Sequence, residues 1–254
     1  MTAFLFIFVL GLVVGSFLNV IIYRLPNEEK KGSILYSRSY CPNCKTPLKW
    51  YDMFPVFSYL FLKGKCRYCG NKIGWQYPLI ELINGLFYLA LFWKYLNSSW
   101  TLLELGIYMV LFSALLIGAV IDLKFQILPD EITLGGIGLG LLIALTTGFM
   151  TVSQALIGFA VGFIPLAILV MIRPHAMGGG DVKLMGMFGM FLGWEAVLNV
   201  LIIGSITATI FNIALILIKG NDFKEPFPFG PYLIAGAYIS ILILNNQLLY
   251  NYFI

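Results

Sequence analysis

A chain of 254 residues that is 60% hydrophobic and 11% charged, with a mean hydropathy of +0.90, is excluded from the soluble globular class, because no core it can close would cover that much apolar side chain. Its long uncharged runs need every backbone group satisfied within the segment, which makes the expected fold class an all-α polytopic membrane protein. The net charge of +4 says less than its placement, and it implies no nucleic-acid partner.

Eight apolar spans follow one another at approximately 3–22, 78–96, 102–121, 131–149, 153–172, 183–193, 196–218 and 230–248. The first has no basic residue ahead of it and Arg24 just behind. A cleaved signal peptide has the reverse charge order and a shorter apolar core, so a retained helix with its N-terminus outside is expected. The sixth span, roughly eleven residues, is short for a full crossing and reads as a partial or tilted one. If it does not cross, everything after it inverts.

Charge arbitrates. The hydrophilic loop 23–77 holds ten of the sixteen basic residues: Arg24, Lys30, Lys31, Arg38, Lys45, Lys49, Lys63, Lys65, Arg67 and Lys72. With eight crossings, Lys124, Arg173, Lys183, Lys219 and Lys224 join that face, and only Lys94 lies opposite. An excess of basic residues marks the cytoplasmic side. A sixth span that failed to cross would put Lys219 and Lys224 outside, which is the poorer split. The segments expected are therefore a first transmembrane helix (1–22), a cytoplasmic loop domain (23–77) and a seven-helix membrane domain (78–254).

Within the loop, Cys41-Pro42-Asn43-Cys44 and Cys66-Arg67-Tyr68-Cys69 form two Cys-x-x-Cys pairs with 21 residues between them, one beyond the usual zinc-ribbon range. Thiolates on a metal are expected in a reducing cytosol, and four of them suit a closed, structural Zn²⁺ site at Cys41, Cys44, Cys66 and Cys69. Two disulfides in an oxidising compartment are the competing reading, which the topology disfavours. The neighbouring basic residues either offset the charge of a four-thiolate site or face anionic lipid.

Among the acids at or within the spans are Glu81, Asp122, Asp130, Glu131, Asp181 and Glu195. Asp130 follows Leu128-Pro129 and starts a helical run, so a capping role is expected, with Glu131 in the first turn. Asp122 ends the third span, where the helix dipole opposes an acid. Asp181 opens the sixth on the same side, after Gly178-Gly179-Gly180, whose freedom from Cβ atoms suits a substrate strand. Asp122 and Asp181 are thus candidates for a carboxylate dyad, against separate interfacial anchors or a proton-coupled transport site. On the dipoles of their own helices, Asp122 is the expected holder of a shared proton. His175 reads as a solvated loop residue.

Taken in order, these residues resemble the bacterial prepilin peptidase family, the bifunctional prepilin leader peptidase and N-methyltransferase. The resemblance runs through Gly15-Ser16-Phe17-Leu18-Asn19-Val20, Arg24-Leu25-Pro26, Ser37-Arg38-Ser39, Trp50-Tyr51-Asp52 with Pro55, both cysteine pairs, and Tyr77-Pro78 with Glu81. It continues through Asp122, Leu128-Pro129-Asp130, the Gly178-Gly179-Gly180-Asp181 form of a GxGD signature, and Pro228-Phe229-Gly230-Pro231. It implies an aspartyl protease of the bacterial inner membrane, with Asp122 and Asp181 catalytic at the cytoplasmic face. It further implies type IV prepilin or pseudopilin substrates and methylation of the new N-terminal amine with S-adenosylmethionine. The cysteine loop is the part associated with methylation. No glycine-rich βα turn marks an independent methyl-donor site. The readings from other classes are a proton-coupled transporter, whose acids belong nearer the bilayer midplane, and a non-enzymatic membrane zinc protein, which needs neither aspartate.

Overall fold

The structure is a computed structural model that describes residues 2–27, 38–173, 177–219 and 228–243. His175, Lys30, Lys31, Ser37 and Lys224, named above, lie outside the described residues. The elements are α1 (Thr2–Arg24), a 3-10 turn (Trp50–Asp52), α2 (Phe57–Phe61), α3 (Gln76–Leu96), α4 (Leu102–Phe125), α5 (Asp130–Thr147), α6 (Val152–Ile172), α7 (Gly179–Lys219) and α8 (Gly230–Ile243). The described residues contain no named strand, only the isolated antiparallel bridges Tyr40–Pro47 and Lys65–Lys72. Six of the helices are long and apolar enough to cross a membrane, and among the described residues all eight expected spans fall on helices, the sixth and seventh sharing α7 and the eighth described only to Ile243.

Contacts divide the chain into two compact units, Met1–Ile117 and Gly118–Ile254, with the division inside α4. In the first unit, α1 lies along α3. Apolar packing inside a bilayer gains little by itself, so small residues and buried amides hold such helices together. Gly11 backs onto Gly85, and the fully buried Asn84 donates to Gly11 O at 2.8 Å. The same Asn84 accepts from Ser113 Oγ at 3.1 Å, and Ser113 meets the Tyr88 hydroxyl at 3.1 Å.

In the second unit, α7 packs against α5, α6 and α8 around Leu184, Met185, Phe188, Val197, Val200 and Leu233. Gly193, at φ 78° and ψ 172°, interrupts α7. Gly162 of α6 faces both Met185 and Val197, and Gly158 faces both Gly189 and Gly193. A continuous helix would separate Met185 from Val197 by about 18 Å. The two halves of α7 therefore fold back on each other at Gly193, a reversal that a residue with a Cβ resists. This reversal is why the sixth and seventh apolar runs read as separate spans.

Two local expectations change. Asp122 does not end its helix: α4 continues through Leu123, Lys124 and Phe125, with Leu123 and Phe125 exposed and Gln126 N bonded to Asp122 O at 2.8 Å. Asp130 does not cap α5, because Pro129 occupies the N-cap and makes Asp130 the first helical residue.

Candidate functional site

The cysteine loop is built from one turn used twice. Cys41 N donates to Thr46 O at 3.0 Å and Lys45 N to Cys41 O at 2.9 Å. Cys66 N donates to Asn71 O at 2.8 Å and Gly70 N to Cys66 O at 2.9 Å, the same pattern 25 positions on. The corner needs a left-handed residue, supplied by Gly70 at φ 70° and, in the first copy, by Lys45 at φ 60°. Each turn presents its two sulfurs to the other. All four ligand atoms lie within 4.8 Å of one another, Cys41 Sγ and Cys69 Sγ at 4.0 Å, and none of the cysteines is in a disulfide. Tetrahedral coordination at about 2.3 Å from metal to sulfur requires sulfurs about 3.8 Å apart, so the cluster fits one metal ion.

Asp52 ties the 3-10 turn to the second cysteine turn. It accepts from Arg67 Nε at 2.7 Å, from the Tyr68 hydroxyl at 2.8 Å and from Lys49 N at 3.1 Å, and its side chain is 3% exposed. Burial pushes the Asp52 carboxyl up, but the bonds from Arg67 and Tyr68 outweigh it and hold the group below the usual carboxylate range. The same contact pushes the Tyr68 hydroxyl up to about 12.

Both aspartates lie in the second unit, at helix ends. Asp122, in the last turn of α4, is 5% exposed, and its Oδ2 accepts from the amide of Gly230, the first residue of α8, at 3.1 Å. Asp181, third residue of α7, is 8% exposed and lies within electrostatic range of Asp122. Its carboxylate turns back over the start of its own helix, since a Cβ on Gly178 would stand 3.3 Å from Asp181 Oδ2. Leu128 joins the two sides: a Cβ on Gly180 would meet Leu128 Cβ at 2.9 Å, and one on Gly230 would meet Leu128 Cδ1 at 3.2 Å. Of the three glycines, Gly180 is therefore spent on packing, Gly178 leaves room for the Asp181 carboxylate, and Gly179 has open space. Asp130 stands apart, its exposed carboxylate paired with Lys183 Nζ at 2.6 Å.

Sequence reasoning missed two contributors. The Gly230 amide is a backbone group, which residue type does not announce. Glu81 was named among the six acids and beside Tyr77-Pro78 without a role, yet it is 8% exposed and its Oε2 accepts from Val56 N at 2.7 Å.

The fold and these sites define a multi-pass membrane protein, helical among the described residues, with a loop whose four cysteines could hold a metal ion and two buried acids at helix ends. The chain belongs to the type IV leader peptidase family: the model of that family matches residues 109–213, and the bacterial peptidase A24 N-terminal domain matches residues 9–95. It is 34% identical to the prepilin leader peptidase/N-methyltransferase of Aeromonas salmonicida over 267 aligned positions, covering 94% of this chain and 90% of that one. The protein of the same name from Pectobacterium carotovorum is 33% identical, with 92% and 91% covered. That of Myxococcus xanthus is 40% identical over 85% of this chain and 64% of its own. No solved structure matches the chain significantly.

Proposed function

We propose that the chain is a membrane aspartyl endopeptidase that removes the leader of type IV prepilins or pseudopilins at the cytoplasmic membrane face, and that it N-methylates the residue so exposed with S-adenosylmethionine. The observation that carries the reading is the burial of Asp122 and Asp181 at helix ends of one unit, with a backbone amide aimed at the first. Acids at helix ends suit a peptide bond entering from the membrane surface better than an ion crossing the midplane.

Two neighbouring acids share one proton, because both cannot ionise easily side by side. The ionised member takes a proton from water, which attacks the scissile carbonyl. The protonated member bonds the developing oxyanion and then donates to the departing amine. Open space beside Gly179 favours it, among Gly178, Gly179 and Gly180, as the place where a substrate strand lies.

Cys41, Cys44, Cys66 and Cys69 are the ligands of a closed structural zinc site that fixes the loop and takes no part in peptide-bond chemistry. On this reading 1–22 is the first transmembrane helix, 23–77 the methylation-associated loop and 78–254 the peptidase domain. The charge distribution supports an N-terminus outside and the loop and both aspartates on the cytoplasmic side of a bacterial inner membrane, in contact with its lipid.

The test is leader removal from a prepilin by the full chain in lipid nanodiscs, with methyl incorporation followed in parallel. Asp122→Asn and Asp181→Asn should each abolish cleavage in a folded protein. Cleavage that survives either substitution removes the dyad.

A further inference from the structure

The first unit holds a cavity of about 680 Å³, lined by residues of α1, the cysteine loop and the start of α3, between Val9 and Glu81. That volume is in the range of small-molecule sites, roughly 300–1,000 Å³. Most of the wall is apolar, and two buried acceptors interrupt it where α1 meets α3.

The first is Asn19, 4% exposed. Its Nδ2 donates to Gly15 O at 3.3 Å and to Tyr77 O at 3.1 Å. Because both neighbours are carbonyls, the amide orientation is fixed, and the buried Oδ1 of this cavity-lining residue has no partner. The second is Glu81, one turn beyond Tyr77. Its Oε2 takes the Val56 amide, and the Ser16 side chain bonds to the same carboxylate. Val56 makes this contact at φ 60°, a conformation that β-branched residues avoid. Gly15 fixes the separation, since a Cβ there would meet Glu81 Cα at 2.7 Å. Arg24 and Arg67 also line the cavity, but Arg24 donates to Arg38 O and Arg67 to Asp52.

An unpartnered carbonyl beside a buried carboxylate asks for a ligand with several N–H donors and a positive charge. We propose that Glu81 and Asn19 receive the α-ammonium group of a newly exposed peptide N-terminus, and that its N-methylation takes place in this cavity. The inference rests on the methylation reading above and adds the residues that hold the amine.

S-adenosylmethionine, when bound, supplies a methyl group on a sulfonium. Asn19 Oδ1 orients the ammonium, and Glu81 accepts one of its protons, which frees the nitrogen lone pair. That pair forms the N–C bond to the methyl carbon while the C–S bond breaks with its electrons on sulfur, leaving a thioether and a methylammonium. The proton on Glu81 then passes to solvent.

The amino-acid end of the methyl donor also carries an ammonium, so binding is measured separately for each. The full chain in nanodiscs is titrated with a peptide that begins with a free-amine phenylalanine, with its N-acetyl form, and with S-adenosylhomocysteine. The wild type should favour the free amine by about tenfold or more. Glu81→Gln, which keeps the acceptor for Val56 N, should bring that ratio near one at unchanged melting temperature and zinc content, and S-adenosylhomocysteine should still bind. In the wild type, a peptide with a benzophenone at its first residue should crosslink to 9–24 or 54–81. An undiminished amine preference in Glu81→Gln, loss of S-adenosylhomocysteine binding instead, or crosslinks confined to residues after 117 would overturn the proposal. A Glu81→Gln protein that does not fold leaves the wild-type crosslink to decide. A wild type that neither cleaves prepilin nor incorporates methyl refutes the proposed function itself.

Discussion

Asp122 Oδ2 and the amide of Gly230 are 3.1 Å apart, which joins the end of α4 to the first residue of α8 across 108 positions of sequence. The bond changes the electrostatic argument made from the sequence. There, Asp122 stood at the negative end of its own helix and Asp181 at the positive end of another, which favoured Asp122 as holder of a shared proton. The fold gives Asp122 the N-terminus of α8 as well, so both acids face free amide groups. The dipoles no longer decide between them.

Gly230→Ala tests this contact. The new Cβ would stand 2.7 Å from Asp122 Oδ2 and 3.2 Å from Leu128 Cδ1, and the mobile end of the aspartate is the part that yields. A displacement approaching an ångström costs as much as about a hundredfold in a positioned reaction. Leader cleavage should fall by about ten- to a hundredfold, while a peptide that already begins at the mature residue is still methylated. Cleavage at the wild-type rate would show that the amide contact is incidental.

Asp130→Asn should behave differently from either buried aspartate. Its carboxylate is 58% exposed and pairs with Lys183, whose side chain is 34% exposed, and pairs of this kind contribute roughly 0–1 kcal/mol. Cleavage should persist with a small loss of thermal stability. If well-folded Asp130→Asn were as inactive as Asp122→Asn, the pairing of Asp122 with Asp181 would be the wrong choice of acids.

The cysteine cluster predicts one zinc per chain by metal analysis of protein purified without chelator. Each single Cys→Ser should lower that occupancy and abolish methylation before it touches cleavage. A loop that carries no metal in the folded, active protein would refute the site.

How far the sequence reached depended on where each signal lies. The cysteines were legible because their spacing is local, and Asp122 and Asp181 because a charge at the edge of an apolar run stands out. Asp130 was misread, because the preceding proline already held the cap position. Asn19 and Glu81 stand in motifs of the resemblance, but nothing local gives them a shared role: they are 62 positions apart, on either side of the cysteine loop, and only the packing of Gly15 against Glu81 brings them to one seam. The partner of Asp122 is a backbone amide, which no residue letter encodes. The fold-back at Gly193 was legible only as a gap between two apolar runs.

Asp52 supplies the last prediction. It stands outside both cysteine turns but holds Arg67 and Tyr68, the two residues between Cys66 and Cys69, while its second oxygen also takes the Lys49 amide. Asp52→Asn keeps the shape, removes the charge and places an amide N–H₂ where one of three donors must be received. Bonds to a charged group are worth more than neutral ones, and the 47% exposure of Arg67 screens this one and keeps the expected loss modest. The loss falls on the geometry of the second turn. Zinc should therefore be removed by chelator at least about fivefold faster, with earlier proteolysis in 38–77, since metal binding and loop folding are one equilibrium. Lys49→Ala is the control, because Lys49 is bonded to Asp52 through its backbone N–H and carbonyl, and both survive the substitution. Equal zinc release from Asp52→Asn and Lys49→Ala would mean that Asp52 does not brace the metal site.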